Sequence, residues 1–246
     1  MADVTVVQSD EVELRPGSVP GLGVRPTLGP QTGFSVLQQA VLECEPGRTD
    51  PILVTEVEET MFVISGRGTV HLEGRAHAVE SEVGIYIAPG SQFALENPGP
   101  ETLRLVAVRV PDPVPESRSG VRAAVTTLAD QELERASAQR EFRVVADPAS
   151  GLRSATHFVG YIFPARAPDH FHTYDEVIYV LDGHGVMHAS GFEQSLRPGS
   201  CIQLPARTVH CVENTGEEPM RVVAVFRPPG SPAAAFYSDG TPAYQG

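Results

Sequence analysis

The second half of this chain repeats the first. ETMFVISGRGTVHLEG at 59–74 is matched by EVIYVLDGHGVMHASG at 176–191, an offset of 117 residues from Glu59 to Glu176. VGIYIAPGSQFALENPG at 83–99 is matched by GSCIQLPARTVHCVENTG at 199–216, and LRLVAVRVP at 103–111 by MRVVAVFRP at 220–228. Fixed-period self-similarity marks duplicated structural units. The repeated runs are short, alternate or rich in β-branched residues, and end at Gly, Pro, Asn or Asp, as strands of an antiparallel domain do. Each copy is long enough for its own barrel. The expectation is therefore all-β, with two tandem barrels at 33–110 and 142–228. An irregular lead-in at 1–32, a Pro-rich linker at 111–141 and a tail at 229–246 complete the division. Within the linker, TLADQELERASAQR predicts one short helix at 127–140, with Thr127 and Asp130 as an N-terminal cap signal.

Composition narrows the partners. The formal net charge is −13. That disfavours nucleic acid, whose binding requires cations to displace counterions, and anionic membrane surfaces. No apolar run approaches the roughly 20 residues of a membrane span. The N-terminus does not read as a signal peptide, so the expected location is cytoplasmic. All 18 basic residues are Arg, which excludes Schiff-base chemistry through lysine. Cys44, Cys201 and Cys211 are too few and too scattered for a disulfide framework and are expected to be buried free thiols. The expected partner is a small-molecule substrate, with homo-oligomers left open.

The chemistry-bearing residues gather in the second repeat. His170 and His172 alternate on one extended segment and so project to one face. Glu176 follows after a short step, and His210 arrives from a separate strand. Three imidazoles and a carboxylate suit Fe, Mn, Zn, Ni or Cu. They leave one or two coordination positions open for catalysis.

This pattern resembles the two motifs of the cupin superfamily. His170, His172, Glu176 and Gly183 fit the first, and Gly199, Pro205, His210 and Asn214 fit the second. Two positions depart from it: Pro164 and Arg207 stand where the motifs carry glycine. The resemblance implies a bicupin with one divalent transition metal per chain (Fe, Mn, Zn or Ni), bound in the C-terminal barrel.

The first repeat keeps the frame, with Glu59 and Gly66 at motif spacing, but Leu53 and Thr55 fall at the first two histidine positions and Phe93 or Ala94 at the third. This barrel is expected to bind no metal and to have a filled, partly apolar interior, with Glu59 as a structural carboxylate. His71 and His77 read as surface residues of outer hairpins. His157, Tyr161, Arg153 and Gln203 are candidate substrate-binding residues, while His188 and Tyr179 read as structural. Phe236, Tyr237 and Tyr244 are expected to seal a barrel end or a subunit interface, with cover over a barrel mouth as the alternative.

The fold carries many chemistries, so membership alone names no reaction. The resemblance is to families that include dioxygenases, oxalate decarboxylases, isomerases and ureidoglycine aminohydrolases. The expectation is a mononuclear non-heme metal oxygenase acting on a small organic molecule. The alternatives are a non-oxidative metal enzyme (isomerase, lyase, hydrolase or zinc-dependent N–N bond-forming enzyme) and a binding module without turnover.

Overall fold

A computed structural model describes residues 3–118, 120–189 and 191–243. They form four stacked antiparallel layers. Two seven-stranded sheets face each other at the centre of the molecule. A five-stranded sheet covers the outer side of the first and a three-stranded sheet covers the second. Each half is thus a two-sheet sandwich rather than a closed barrel.

Three apolar cores fill the spaces between layers. Phe62, Tyr86 and Val106 meet Val159, Val177 and Val223 between the two large sheets. Met61, Val70, Ile85 and Phe93 fill the first half, and Ile178, Met187, Val212 and Phe226 the second. The alternation of strand Glu58–Ser65 explains how one strand serves two cores. Glu59, Met61 and Val63 point into the first sandwich, while Glu58, Thr60 and Phe62 point to the central interface.

The duplication extends to single hydrogen bonds. Asn97 donates to the carbonyls of Cys44 and Glu101 and accepts from the Gly99 amide. Asn214 donates to Ile162 and Glu218 and accepts from Gly216. Gly66 and Gly183 hold left-handed turns, at φ 84 and 86. A Cβ at either would lie 2.8 Å from backbone of the following hairpin, Thr102 O or Met220 Cα.

Three expectations need correction. The helix at 127–140 is absent: Leu128–Asp130 is a single 3-10 turn, and Glu134–Ser137 pairs with Arg140–Ala146 as a hairpin. Helix-favouring residues yield here because the hairpin buries Ala136 and Phe142 in the second core. The lead-in is not irregular, since Leu22–Leu28 and Arg15–Pro16 extend the first large sheet. Nor does the linker lie outside both halves. Ala123–Thr127 pairs with Val83–Ile87 of the first sheet. Reciprocally, Thr5–Gln8 pairs with Ser200–Leu204 of the second. The two halves exchange their outermost strands.

Glu58 reinforces the contact between halves. It is fully buried and accepts bonds from the Arg153 and Ser154 amides and the Tyr86 hydroxyl, at 2.8, 3.0 and 3.0 Å.

Candidate metal centre

His170, His172 and His210 come together inside the second half. Each offers a ring nitrogen, and the three nitrogens lie within 4.8 Å of one another. The backbone fixes their approach. His170 and His210 exchange reciprocal main-chain hydrogen bonds of 3.0 and 2.8 Å, locking the loop to strand His210–Asn214. The Arg207 amide donates to the His172 carbonyl at 2.7 Å from a left-handed conformation, φ 65. Arg207 occupies the motif's glycine position, and that backbone angle is what glycine would supply without strain.

The three rings are oriented in the same way. Nδ1 of His170 lies 3.0 Å from the Pro168 carbonyl, that of His172 2.9 Å from Ala234, and that of His210 2.9 Å from Thr208. A carbonyl only accepts, so each Nδ1 carries the proton and each Nε2 keeps its lone pair. Burial holds all three rings neutral: His172 is lowered to about 4, His170 is lowered, and His210 lies well below the ordinary value, its neighbouring imidazoles adding to the burial. Neutral imidazoles with fixed tautomers and convergent Nε2 atoms are a donor set ready for a divalent transition metal.

Glu176 lines the same chamber from strand Asp175–Asp182, but its carboxylate is not part of the 4.8 Å group of imidazoles. Burial raises it to about 8. The chamber holds about 90 Å³. Phe142, Phe158 and Ile178 form apolar walls, and Arg140 brings a guanidinium to the lining.

Several contributors escaped the sequence reading. Tyr174 stacks on His172 at 4.6 Å and 9° and on Phe226 at 3.9 Å. The tail crosses the site. Ala234 supplies the carbonyl that orients His172, and Phe236 bridges to Phe171 with rings stacked at 5.8 Å. Phe236 thus packs beside the segment that carries His170 and His172, and Tyr244 lies outside the described residues. Arg140 was assigned to a helix, and only its place in a hairpin brings it to the chamber.

Three of the four candidate substrate residues fall elsewhere, and Tyr161 lines the chamber. His157 lies in the interface between the large sheets, Nδ1 2.6 Å from Thr60 Oγ1 and edge-on to Phe62. Gln203 is fully buried against the lead-in, accepting from Thr32 Oγ1 at 2.6 Å and donating to the Asp3 carbonyl at 3.0 Å. Arg153 is exposed. Tyr161 borders the chamber but packs against the central core. Odd-numbered positions of strand Thr156–Ile162 face the central interface, which turns His157 away from the metal side. His188 is held between Glu193 and Glu213, at 3.0 and 2.7 Å, as His71 is by Glu96 at 2.8 Å.

In the first half the register corrects the assignment of the lost ligands. Ile52 pairs with Phe93 as His170 pairs with His210. The equivalents of the three histidines are thus Ile52, Val54 and Phe93. Leu53 is 51% exposed. One extra residue between Val54 and Glu59, relative to His172 and Glu176, shifted the count by one, which in a strand swaps the faces. The expected filled interior is also absent, since a cavity of about 340 Å³ opens there.

The cupin domain family matches residues 40–109 and 162–226. Among curated proteins, an uncharacterized protein of Methanocaldococcus jannaschii is 32% identical over 60 residues, 24% of this chain and 48% of that protein. The acireductone dioxygenase of Bacillus cereus is 28% identical over 109 residues, 42% of this chain and 62% of the enzyme. The matches therefore span less than two thirds of either relative. Among solved structures, a protein from Pseudomonas aeruginosa described as glyoxylate-induced superposes with a TM-score of 0.79 at 17% identity, covering 90% of this chain and 88% of that one. A Bacillus subtilis oxalate decarboxylase variant gives 0.71 at 15%, covering 92% and 78%. The two family matches take in more than half of the sequence, one in each repeat, and the chain belongs to the cupin domain family as a bicupin.

Proposed function

We propose that this protein is a mononuclear metal enzyme of oxygenase type acting on a small organic acid, with His170, His172, His210 and Glu176 as the metal ligands. The carrying observation is that all three Nδ1 atoms are engaged by carbonyls while one ring nitrogen of each histidine lies within 4.8 Å of the other two. A bound divalent ion supplies Lewis-acid and redox chemistry. The chain's own residues do the rest. The carbonyls of Pro168, Ala234 and Thr208 hold the imidazoles in the binding tautomer. Phe142, Phe158 and Ile178 exclude water from the chamber. Arg140 acts on His170 and His210 as a nearby positive charge, and the same charge favours an anionic substrate. Likeness to acireductone dioxygenase supports the oxygenase reading.

Metal analysis of the purified protein, joined to oxygen-electrode assays of Fe-, Mn-, Ni- and Zn-loaded protein against small carboxylic acids and phenols, tests this. The expected result is about one metal per chain and substrate-dependent oxygen uptake with one loaded form. Substrate turnover that proceeds equally without oxygen would reject the oxygenase reading. A metal content that His170→Ala leaves unchanged would reject the centre itself.

A further inference from the structure

The cavity of the first half differs from the metal chamber in a specific way. Arg109 stands opposite Glu59 in the first sheet where Phe226 stands opposite Glu176 in the second. Ala40 stands opposite Ala107 where Phe158 stands opposite Ala224. Two phenyl rings of the second half are thus an alanine and an arginine in the first. Arginine is about as large as phenylalanine, so the alanine is the position that frees space, and the cavity is about 340 Å³ against about 90 Å³ for the metal chamber. The larger volume lies in the range of small-molecule sites.

Its lining combines apolar side chains with two arginines. Leu42, Ile52 and Phe93 contribute apolar surface, with Ile52 and Phe93 at two of the positions where the second half has histidines. Glu59 is 2% exposed and receives Arg109 Nε at 3.3 Å. Burial raises the Glu59 carboxyl, and Arg109 opposes that rise. The Arg109 side chain is 53% exposed, and its two Nη groups have no partner among the described residues. Arg15, paired with Glu13 at 3.3 Å, adds a second guanidinium to the lining.

We propose that the first half is a second, metal-independent ligand site for a small organic acid with an apolar body. Glu59 holds the guanidinium of Arg109 in place through Nε. The ligand's carboxylate lies on the Nη groups, a charge-assisted contact in a partly dry site. Its apolar body fills the space beside Ala40, where the second half has the ring of Phe158. Substrate capture at the metal centre is not required, so the site stands apart from the oxygenase reading.

The test is calorimetric titration of the full-length protein with benzoate and hexanoate, with benzyl alcohol as the uncharged comparison. Saturable binding of an acid at one site per chain is expected, with benzyl alcohol at least tenfold weaker than benzoate. Arg109→Gln is expected to weaken binding at least tenfold, and Ala40→Phe, which restores a ring, to abolish it. His170→Ala is expected to leave it unchanged. Circular dichroism confirms that each variant is folded, and Arg109→Gln decides alone if Ala40→Phe is not. Absence of saturable binding, equal binding of the alcohol, or retention in Arg109→Gln overturns the proposal. Loss in His170→Ala also overturns it, by moving the binding to the metal centre.

Discussion

The Nδ1 of His172 lies 2.9 Å from the carbonyl oxygen of Ala234, 62 residues further along the chain. This contact ties the C-terminal tail to the orientation of a proposed metal ligand. Ending the chain at Gly230, or the milder Phe236→Ala, is expected to lower metal affinity by about 10- to 100-fold, the usual consequence of losing a partner that orients a ligand. Competition with a fluorescent chelator measures this. Unchanged affinity in the truncated protein would show that the tail leaves His172 alone.

Glu176→Gln is expected to separate affinity from stability. The carboxyl is 4% exposed and burial alone drives it upward. Without a cation, an amide there avoids the cost of desolvating a charge. The metal-free variant is therefore expected to melt no lower than the metal-free parent, while its metal affinity falls at least tenfold. Thermal melts with and without metal provide the comparison. A variant that melts several degrees lower when metal-free would refute it.

Glu58→Ala is expected to behave in the opposite way. It removes the acceptor of three hydrogen bonds at the central interface, two of them from the other half. Leaving buried donors unmatched costs on the order of 3 kcal/mol in total. Urea unfolding should show that loss, with metal content per folded molecule unchanged. A loss below about 1 kcal/mol would mean the three donors find other acceptors.

His157 gives a pH-dependent term. Burial lowers it from 6.5 to about 3. The unfolded chain takes up this proton below pH 6.5, and the native state takes it up only near 3. Its contribution is fully present above 6.5 and is lost as pH falls toward 3. In His157→Gln this term is gone, so the stability difference between parent and variant should shift against the parent across that window. Parallel shifts of both proteins from pH 7 to 4 would exclude the assignment.

The duplication and the three convergent histidines were legible because they reside in local spacing. The first two lost ligand positions of the first half, read as Leu53 and Thr55, are off by one, since the extra residue between Val54 and Glu59 leaves no mark in composition, whereas Phe93 at the third is right. The 127–140 stretch carries helix-forming residues, yet Ala136 and Phe142 gain their burial only from sheets built by distant segments. His157 and Tyr161 sit on a strand whose two faces serve two different cores, and sequence alternation does not say which face meets the ligands. The Arg109–Glu59 pairing was likewise invisible, because it joins residues on neighbouring strands of a sheet whose register only the folded chain fixes.

The exchanged strands have a consequence for how such a chain can be divided. Cleavage in the Pro-rich stretch near residue 115 would leave Ala123–Thr127 on the C-terminal fragment and Thr5–Gln8 on the N-terminal one, each paired with the other piece. Neither fragment owns a complete seven-stranded sheet. The nicked polypeptide would therefore persist as a mutual clasp of two pieces, and a single unsplit ancestor of the repeat would have met its own edge requirement only by pairing with a twin.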